Sequence, residues 1–163
     1  SDKDITVRAK KGSVAETMAK NNGMSFKSLF DKEWMLSSDP KILTGIVENT
    51  SVGMLLSYFS SEKDLDLFDS VGNSIKENAL WSLSTGYVAE IGGQQYKVVI
   101  KGDTDGDSEV SERDCERIAG QMIGTLELSG AGLAAADIDY DGEVNITDYI
   151  KARAYLCNGT DIY

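Results

Sequence analysis

The sequence predicts two folding units in series: an α+β module over residues 1–100, then a small all-α unit over residues 101–163 made of two loop–helix repeats. Three observations predict this. DTDGDSEVSERD at Asp103–Asp114 returns as DIDYDGEVNITD at Asp137–Asp148, an offset of 34 residues, and each copy runs into a segment with helical apolar spacing. Residues 1–100 instead interleave short apolar or alternating runs with two helix-like patches. The charge changes at the same place, with 13 acids and 11 bases in residues 1–100 but 14 acids and 5 bases in residues 101–163.

In the first unit, Ile5–Ala9, Ile42–Val47, Leu65–Phe68, Tyr87–Ile91 and Tyr96–Ile100 predict strands. Ser13 before VAETMAK and Ser51 before VGMLLSYF are placed as helix N-caps, where a hydroxyl oxygen satisfies an orphan amide of the first turn. Gly92-Gly93 between two alternating runs predicts a hairpin. The lone proline, Pro40, after SSD predicts a break and a sub-boundary near residues 37–41. Trp34, Phe59, Phe68, Trp81, Tyr87 and Tyr96 fall on apolar runs, which favours packing over a sugar-stacking platform.

In the second unit, Cys115–Ile123 and Tyr149–Cys157 predict helices with apolar positions at Ile118, Met122, Ile150 and Tyr155. Between them LELSGAGLAAA predicts a turn at Gly130 and Gly132, then a short Ala-rich helix closing the underside of the pair.

Composition excludes several function classes. A chain of 163 residues, 41% hydrophobic, can bury an ordinary core. It has no run approaching the roughly 18 apolar residues of a membrane helix, so no membrane insertion is expected. A net charge of −11 repels phosphate backbones and argues against nucleic-acid binding. With no histidine and two cysteines, His-based catalysis and a structural zinc site are not expected. The N-terminus lacks the succession of regions that marks a signal peptide, and a start at Ser1 predicts a piece of something longer.

The repeated D-x-D-x-D pattern with an acid at position 12 suits a hard cation that wants 6 to 8 oxygens, because alternate side chains of a tight loop point inward. Two Ca²⁺ are expected. In the first loop Asp103, Asp105 and Asp107 offer side chains, Glu109 its carbonyl, Ser111 a direct or water-mediated contact and Asp114 the closing carboxylate. In the second, Asp137, Asp139, Asp141, Glu143, Asn145 and Asp148 take the same roles. Val110 and Val144 at position 8 are expected to pair the loops through a short β-bridge. Position 6 must turn sharply; it is Gly142 in the second loop but Ser108 in the first, so the first site is expected to be the weaker. Four like charges held together repel, so calcium is expected as a folding ligand.

From Gly102 to about Gly159 these residues resemble the bacterial type I dockerin module. The resemblance rests on Gly102-Asp103, on duplicated 12-residue loops ending in Asp, on loop-then-helix order and on Ala135-Ala136-Asp137. The stretch from TGIVENTSVGMLLSYF to VVIKGD is similar to the X-module that often precedes such dockerins. The resemblance implies an EF-hand-like fold and calcium-dependent binding of a cohesin module of a scaffold or surface protein. It also implies a secreted, extracellular setting, in a cellulosome-like complex on the cell surface of an anaerobic bacterium. Polysaccharide degradation would then belong to the parent protein, with any catalytic domain elsewhere, and no catalytic residue is expected in this chain.

The family's partner-reading positions carry over to Ile146, Thr147, Arg153 and Ala154, with Lys151 nearby, and in the first repeat to Glu112, Arg113, Ala119 and Gly120. The copies disagree in charge and size, which favours one binding orientation. The second repeat is the expected face, with Ile146 an apolar centre rimmed by Lys151 and Arg153; the alternative is that these are solvated helix positions. Antiparallel dockerin helices would bring Cys115 and Cys157 near enough for a disulfide, or both are small core residues. The rival to anchoring is a calcium-stabilised adhesin or carbohydrate-binding surface fragment. A calcium sensor would need helices before each loop, whereas KVVIK before Gly102 reads as a strand.

Overall fold

A computed structural model describes residues 6–9, 14–28, 41–59 and 65–162 of the chain. Ile5, Ser13, Trp34, Tyr163 and all but Lys41 of the expected sub-boundary lie outside the described residues.

Strand β1 (Thr6–Ala9), helix α1 (Val14–Asn21) and strand β2 (Ser25–Ser28) follow one another, and the two strands pair in parallel from Thr6 opposite Ser25 to Ala9 opposite Ser28. Strand β2 was not among the expected strands: SFKS has one apolar residue and takes its conformation from its partner.

A second, four-stranded sheet contains β3 (Ile42–Ile46), β4 (Leu65–Phe68), β5 (Val88–Ile91) and β6 (Gln94–Ile100) in the order β3-β6-β5-β4. Strands β3 and β6 are parallel and the other pairs antiparallel, so this region is a mixed α/β sheet. Gly92 and Gly93, with φ of 58° and 74°, turn β5 into β6 as expected, because a two-residue hairpin of this kind needs positive φ at both positions. Helix α2 (Val52–Tyr58) starts at Ser51, whose hydroxyl accepts the Met54 amide at 3.2 Å. It lays Val52 and Leu55 on a core of Leu43, Ile46, Phe59, Leu67, Leu83, Val98 and Ile100. Each such fully buried side chain stabilises the fold by about 1.5–3 kcal/mol.

Beyond Ile100 the described residues contain no strand. Helices α3 (Glu112–Ile123), α4 (Gly130–Ala136) and α5 (Ile146–Asn158) enclose a second core of Cys115, Ile118, Leu128, Ala136, Ile138 and Ala152. Helices α3 and α5 begin three residues earlier than their apolar spacing suggests, because position 12 of each loop is the third helical residue and closes a capping box on position 9. Gly124 and Gly159, at φ of 72° and 65°, end the two helices. Ile150 corrects the expected apolar face: it is 58% exposed, while Tyr149, Ala152 and Tyr155 pack inward.

The two cores meet at the end of β6. Val98, Val99 and Ile100 are all buried, α4 packs on this strand, and the Gly102 amide donates to the Ala135 carbonyl at 2.9 Å. Ile162 folds back onto the entry of the helical unit, where a Cβ on Gly102 would lie 3.3 Å from its Cδ1. Among the described residues no helix is long and apolar enough to cross a membrane.

Candidate functional site

Each repeated loop folds its aspartates inward. Carboxylate oxygens of Asp103, Asp105 and Asp114 lie within 4.8 Å of one another, and so do those of Asp137, Asp139 and Asp148. The closing residues Asp114 and Asp148 are fully buried. Asp114 Oδ1 accepts the amides of Thr104 at 2.7 Å and Asp105 at 3.3 Å, and its Oδ2 accepts the Ser111 amide at 2.9 Å. Asp148 repeats this with Ile138 at 2.7 Å, Asp139 at 3.3 Å and Asn145 at 2.9 Å. One buried carboxylate therefore fastens the start of each loop to its end.

The position-5 residues stand apart. Asp107 and Asp141 are exposed and accept the amides of Glu109 at 3.0 Å and Glu143 at 2.9 Å; Asp141 also meets the Asn145 side chain at 3.2 Å. Glu109 and Glu143 are exposed. Ser111 turns its hydroxyl to Asp114 at 2.9 Å, and Asn145 Oδ1 accepts the Thr147 amide at 2.8 Å, so position 9 serves as helix cap in both copies.

The residues present fit a bound cation. Asp105 Oδ1 and Asp139 Oδ1 are buried and have no hydrogen-bond partner, an arrangement that costs free energy unless something else satisfies it. Burial pushes the carboxyls of Asp103, Asp105 and Asp137 above their ordinary value, with neighbouring aspartates adding to the shift. Asp139 moves the other way, because Lys151 donates to it at 2.8 Å. An all-oxygen donor set without nitrogen or sulfur suits Ca²⁺ rather than a transition metal.

The expected Val110–Val144 bridge is replaced. The isolated bridges among the described residues are Ser51 with Ser82 and Phe68 with Ser74, and the Val110 amide instead donates to Glu48 of the sheet module at 2.8 Å. Glu48, Ser84 and Thr85, which touch the first loop, and Thr44, whose hydroxyl meets that of Tyr140 in the second, carry no motif and were not among the expected site residues.

On the outer face of α5, Ile146 is 55% exposed and Thr147 is exposed, whereas Ala154 is half-buried. The expected basic rim is neutralised: Lys151 pairs with Asp139 at 2.8 Å and Arg153 with Glu112. Arg113 pairs with Asp105 at 3.1 Å. Ala119 is half-buried, and Gly120 is buried beneath Leu126, where a Cβ would come within 3.0 Å, so position 18 of the first repeat presents nothing to a partner. Exposed Ile123 and Ile150 were missed as surface residues, although Ile150 lies one helical turn from Ile146.

Cys115 and Cys157 are free thiols in the structure rather than a disulfide: Cys115 is buried in the helical core, where burial pushes its thiol pKa up, while Cys157 is exposed.

No curated protein and no solved structure matches the chain. Residues 101–156, about a third of the chain, match the family model of the Dockerin type I domain, which supports a dockerin module over this stretch. Dockerin domains bind Ca²⁺ and anchor proteins by binding cohesin modules.

Proposed function

We propose that the chain is a non-catalytic anchoring module in which residues 101–163 form a dockerin that takes two Ca²⁺ and binds a cohesin, and residues 1–100 form an X-module-like companion. The single observation that carries this reading is the twice-repeated aspartate cluster with its unpartnered buried oxygen, inside the stretch that matches the dockerin model. In this reading Asp103, Asp105 and Asp114 hold one ion, and Asp137, Asp139 and Asp148 the other. Asp107, Asp141 and the carbonyls of Glu109 and Glu143 complete the shells as the loops tighten. The work of the module is extracellular: it fixes a polysaccharide-degrading parent protein to a cellulosome-like assembly or a cell surface.

The recognition face is the outer side of α5, centred on Ile146. Its cations pair within the module, so the face offers apolar area more than charge.

Calorimetric titration of the chain against a panel of cohesins, with millimolar Ca²⁺ and with chelator, tests the reading. One-to-one, calcium-dependent binding that Ile146→Asp removes without loss of fold is the expected result. A folded, calcium-loaded chain that binds no cohesin overturns it. That outcome transfers the weight to a calcium-stabilised adhesin or sugar binder, for which Trp81, 53% exposed beside Leu80 at 94%, is the favouring observation.

A further inference from the structure

We propose that the first calcium loop is shared between the two modules, with Ser84 and Thr85 supplying what its own sixth position does not, while the second loop positions its first aspartate with its own amides. The proposal rests on the calcium reading above and concerns which residues position the carboxylates.

The loops differ at their first aspartate. In the second loop, Asp137 is served by its own loop, with the Asp141 amide on Oδ1 at 3.2 Å and the Gly142 amide on Oδ2 at 3.0 Å. In the first, Asp103 Oδ1 takes the amides of Gly106 at 2.8 Å and Asp107 at 3.1 Å, but Oδ2 takes the Thr85 amide at 2.9 Å. An amide from the sheet module thus does for Asp103 what the sixth-position amide does for Asp137. Asp103 is fully buried in consequence, and Asp137 only partly.

Positions 4 and 6 differ for the same reason. Ser108 holds a φ of 82°, where a non-glycine residue is strained, and its hydroxyl lies 2.6 Å from that of Ser84; Gly142 reaches a φ of 91° unaided. Gly106 at position 4 has a φ of 76°, and a Cβ there would sit 2.7 Å from the Thr85 carbonyl oxygen. Tyr140 fills the same position of the second loop, and its hydroxyl meets that of Thr44 in β3, a side-chain contact that leaves the Asp137 carboxylate to the amides of its own loop.

Thr85 is a fixed donor. Its hydroxyl accepts the Ile100 amide at 3.0 Å, and the following Gly86 amide donates to the Val98 carbonyl at 2.9 Å, so the four-stranded sheet holds it in place. A donor preset by a sheet lowers the ordering that ion binding demands of the loop, and this offsets the strain at Ser108. Groups that orient a metal ligand in this way commonly change affinity by about 10-fold to 100-fold when removed.

The test is site-resolved calcium titration of the full chain, following the Gly106 and Gly142 amide signals by NMR alongside calorimetry. Ser84→Ala and Thr85→Pro are each expected to weaken the first loop, Thr85→Pro by about 10-fold or more, with the second loop unchanged. Adding Ser108→Gly to Ser84→Ala is expected to restore the first loop, a rescue that a merely structural role for Ser84 would not give. Thr85→Pro risks the fold, so Ser84→Ala with its rescue decides by itself. Equal effects on both loops, or none on the first, overturn the proposal while the calcium reading stands. No uptake at either loop by the unaltered chain overturns both.

Discussion

Glu48 reaches out of the sheet module and accepts the backbone amide of Val110 at 2.8 Å, while its other oxygen takes the Tyr155 hydroxyl. One carboxylate thereby ties the first loop to the last helix.

Glu48→Ala leaves the Val110 amide of a buried residue without its acceptor. The expected loss is about 1–3 kcal/mol of unfolding free energy, measured by chemical denaturation. Tyr155→Phe should lose less, and the double variant less than the sum of the two, because both act on one carboxylate. Stability unchanged in Glu48→Ala would show that the two modules do not depend on this contact.

Asp148 collects three backbone amides in a fully buried position. Asp148→Ala should therefore destabilise the chain by about 3 kcal/mol even in chelator, since three donors lose their acceptor. Asp148→Asn should not rescue it, because its amide nitrogen faces donors. A full-strength fold for Asp148→Asn in chelator would refute a structural role separate from calcium.

Much of this was legible in the sequence. The loop repeat fixes the pairs Asp103 with Asp137 and Asp114 with Asp148, and the serine cap at Ser51 and the Gly92-Gly93 turn fall where local chemistry demands. Strand β2 and the parallel pairing of β3 with β6 were not legible, because SFKS has no apolar alternation and pairing partners are distant in sequence. Nor could Glu48, Ser84 and Thr85 be found: Thr85 acts through a backbone amide that leaves no side-chain signature, and the Glu48 carboxylate and Ser84 hydroxyl meet partners distant in sequence. The ion pairs of Lys151 and Arg153 depend on helix packing that no local pattern states. What could have been found is the capping box: Ser111 with Asp114 and Asn145 with Asp148 have its spacing, and it places the helix starts at Glu112 and Ile146.

Acid should narrow the difference that calcium makes. Asp103, Asp105 and Asp137 have folded-state carboxyls above the ordinary value of 3.8. A raised carboxyl is more stable protonated, so its charging disfavours the fold above the folded pKa, and that penalty disappears as pH falls through the folded pKa toward 3.8. The chain in chelator should therefore gain stability over this window while calcium, competing with protons, is released. The measurement is Tm in calcium and in chelator at several pH values; a gap that stays constant would refute the sign.

Ile150, 58% exposed and one turn from Ile146, should belong to the partner face. Ile150→Asp is expected to weaken cohesin binding by at least about tenfold with little change in Tm, as loss of a central apolar contact does. Binding left intact by this change but lost in Ile146→Asp would confine recognition to the first turn of the helix.

Gly106→Ala and Gly142→Ala separate the two loops without any metal. Both glycines have positive φ, 76° and 91°, so each substitution carries a backbone penalty of about 1 kcal/mol or more. At Gly142 a Cβ meets nothing within 4 Å, and that penalty is the whole effect. At Gly106 the Cβ would lie 2.7 Å from the Thr85 carbonyl oxygen, and Thr85 cannot retreat without giving up its bond to Asp103 and its hydroxyl contacts with Ile100. Crowding of this kind adds about 1–3 kcal/mol. Denaturation of both variants in chelator should thus place Gly106→Ala well below Gly142→Ala in stability. Equal losses would mean that the sheet module stands clear of the first loop until calcium closes it.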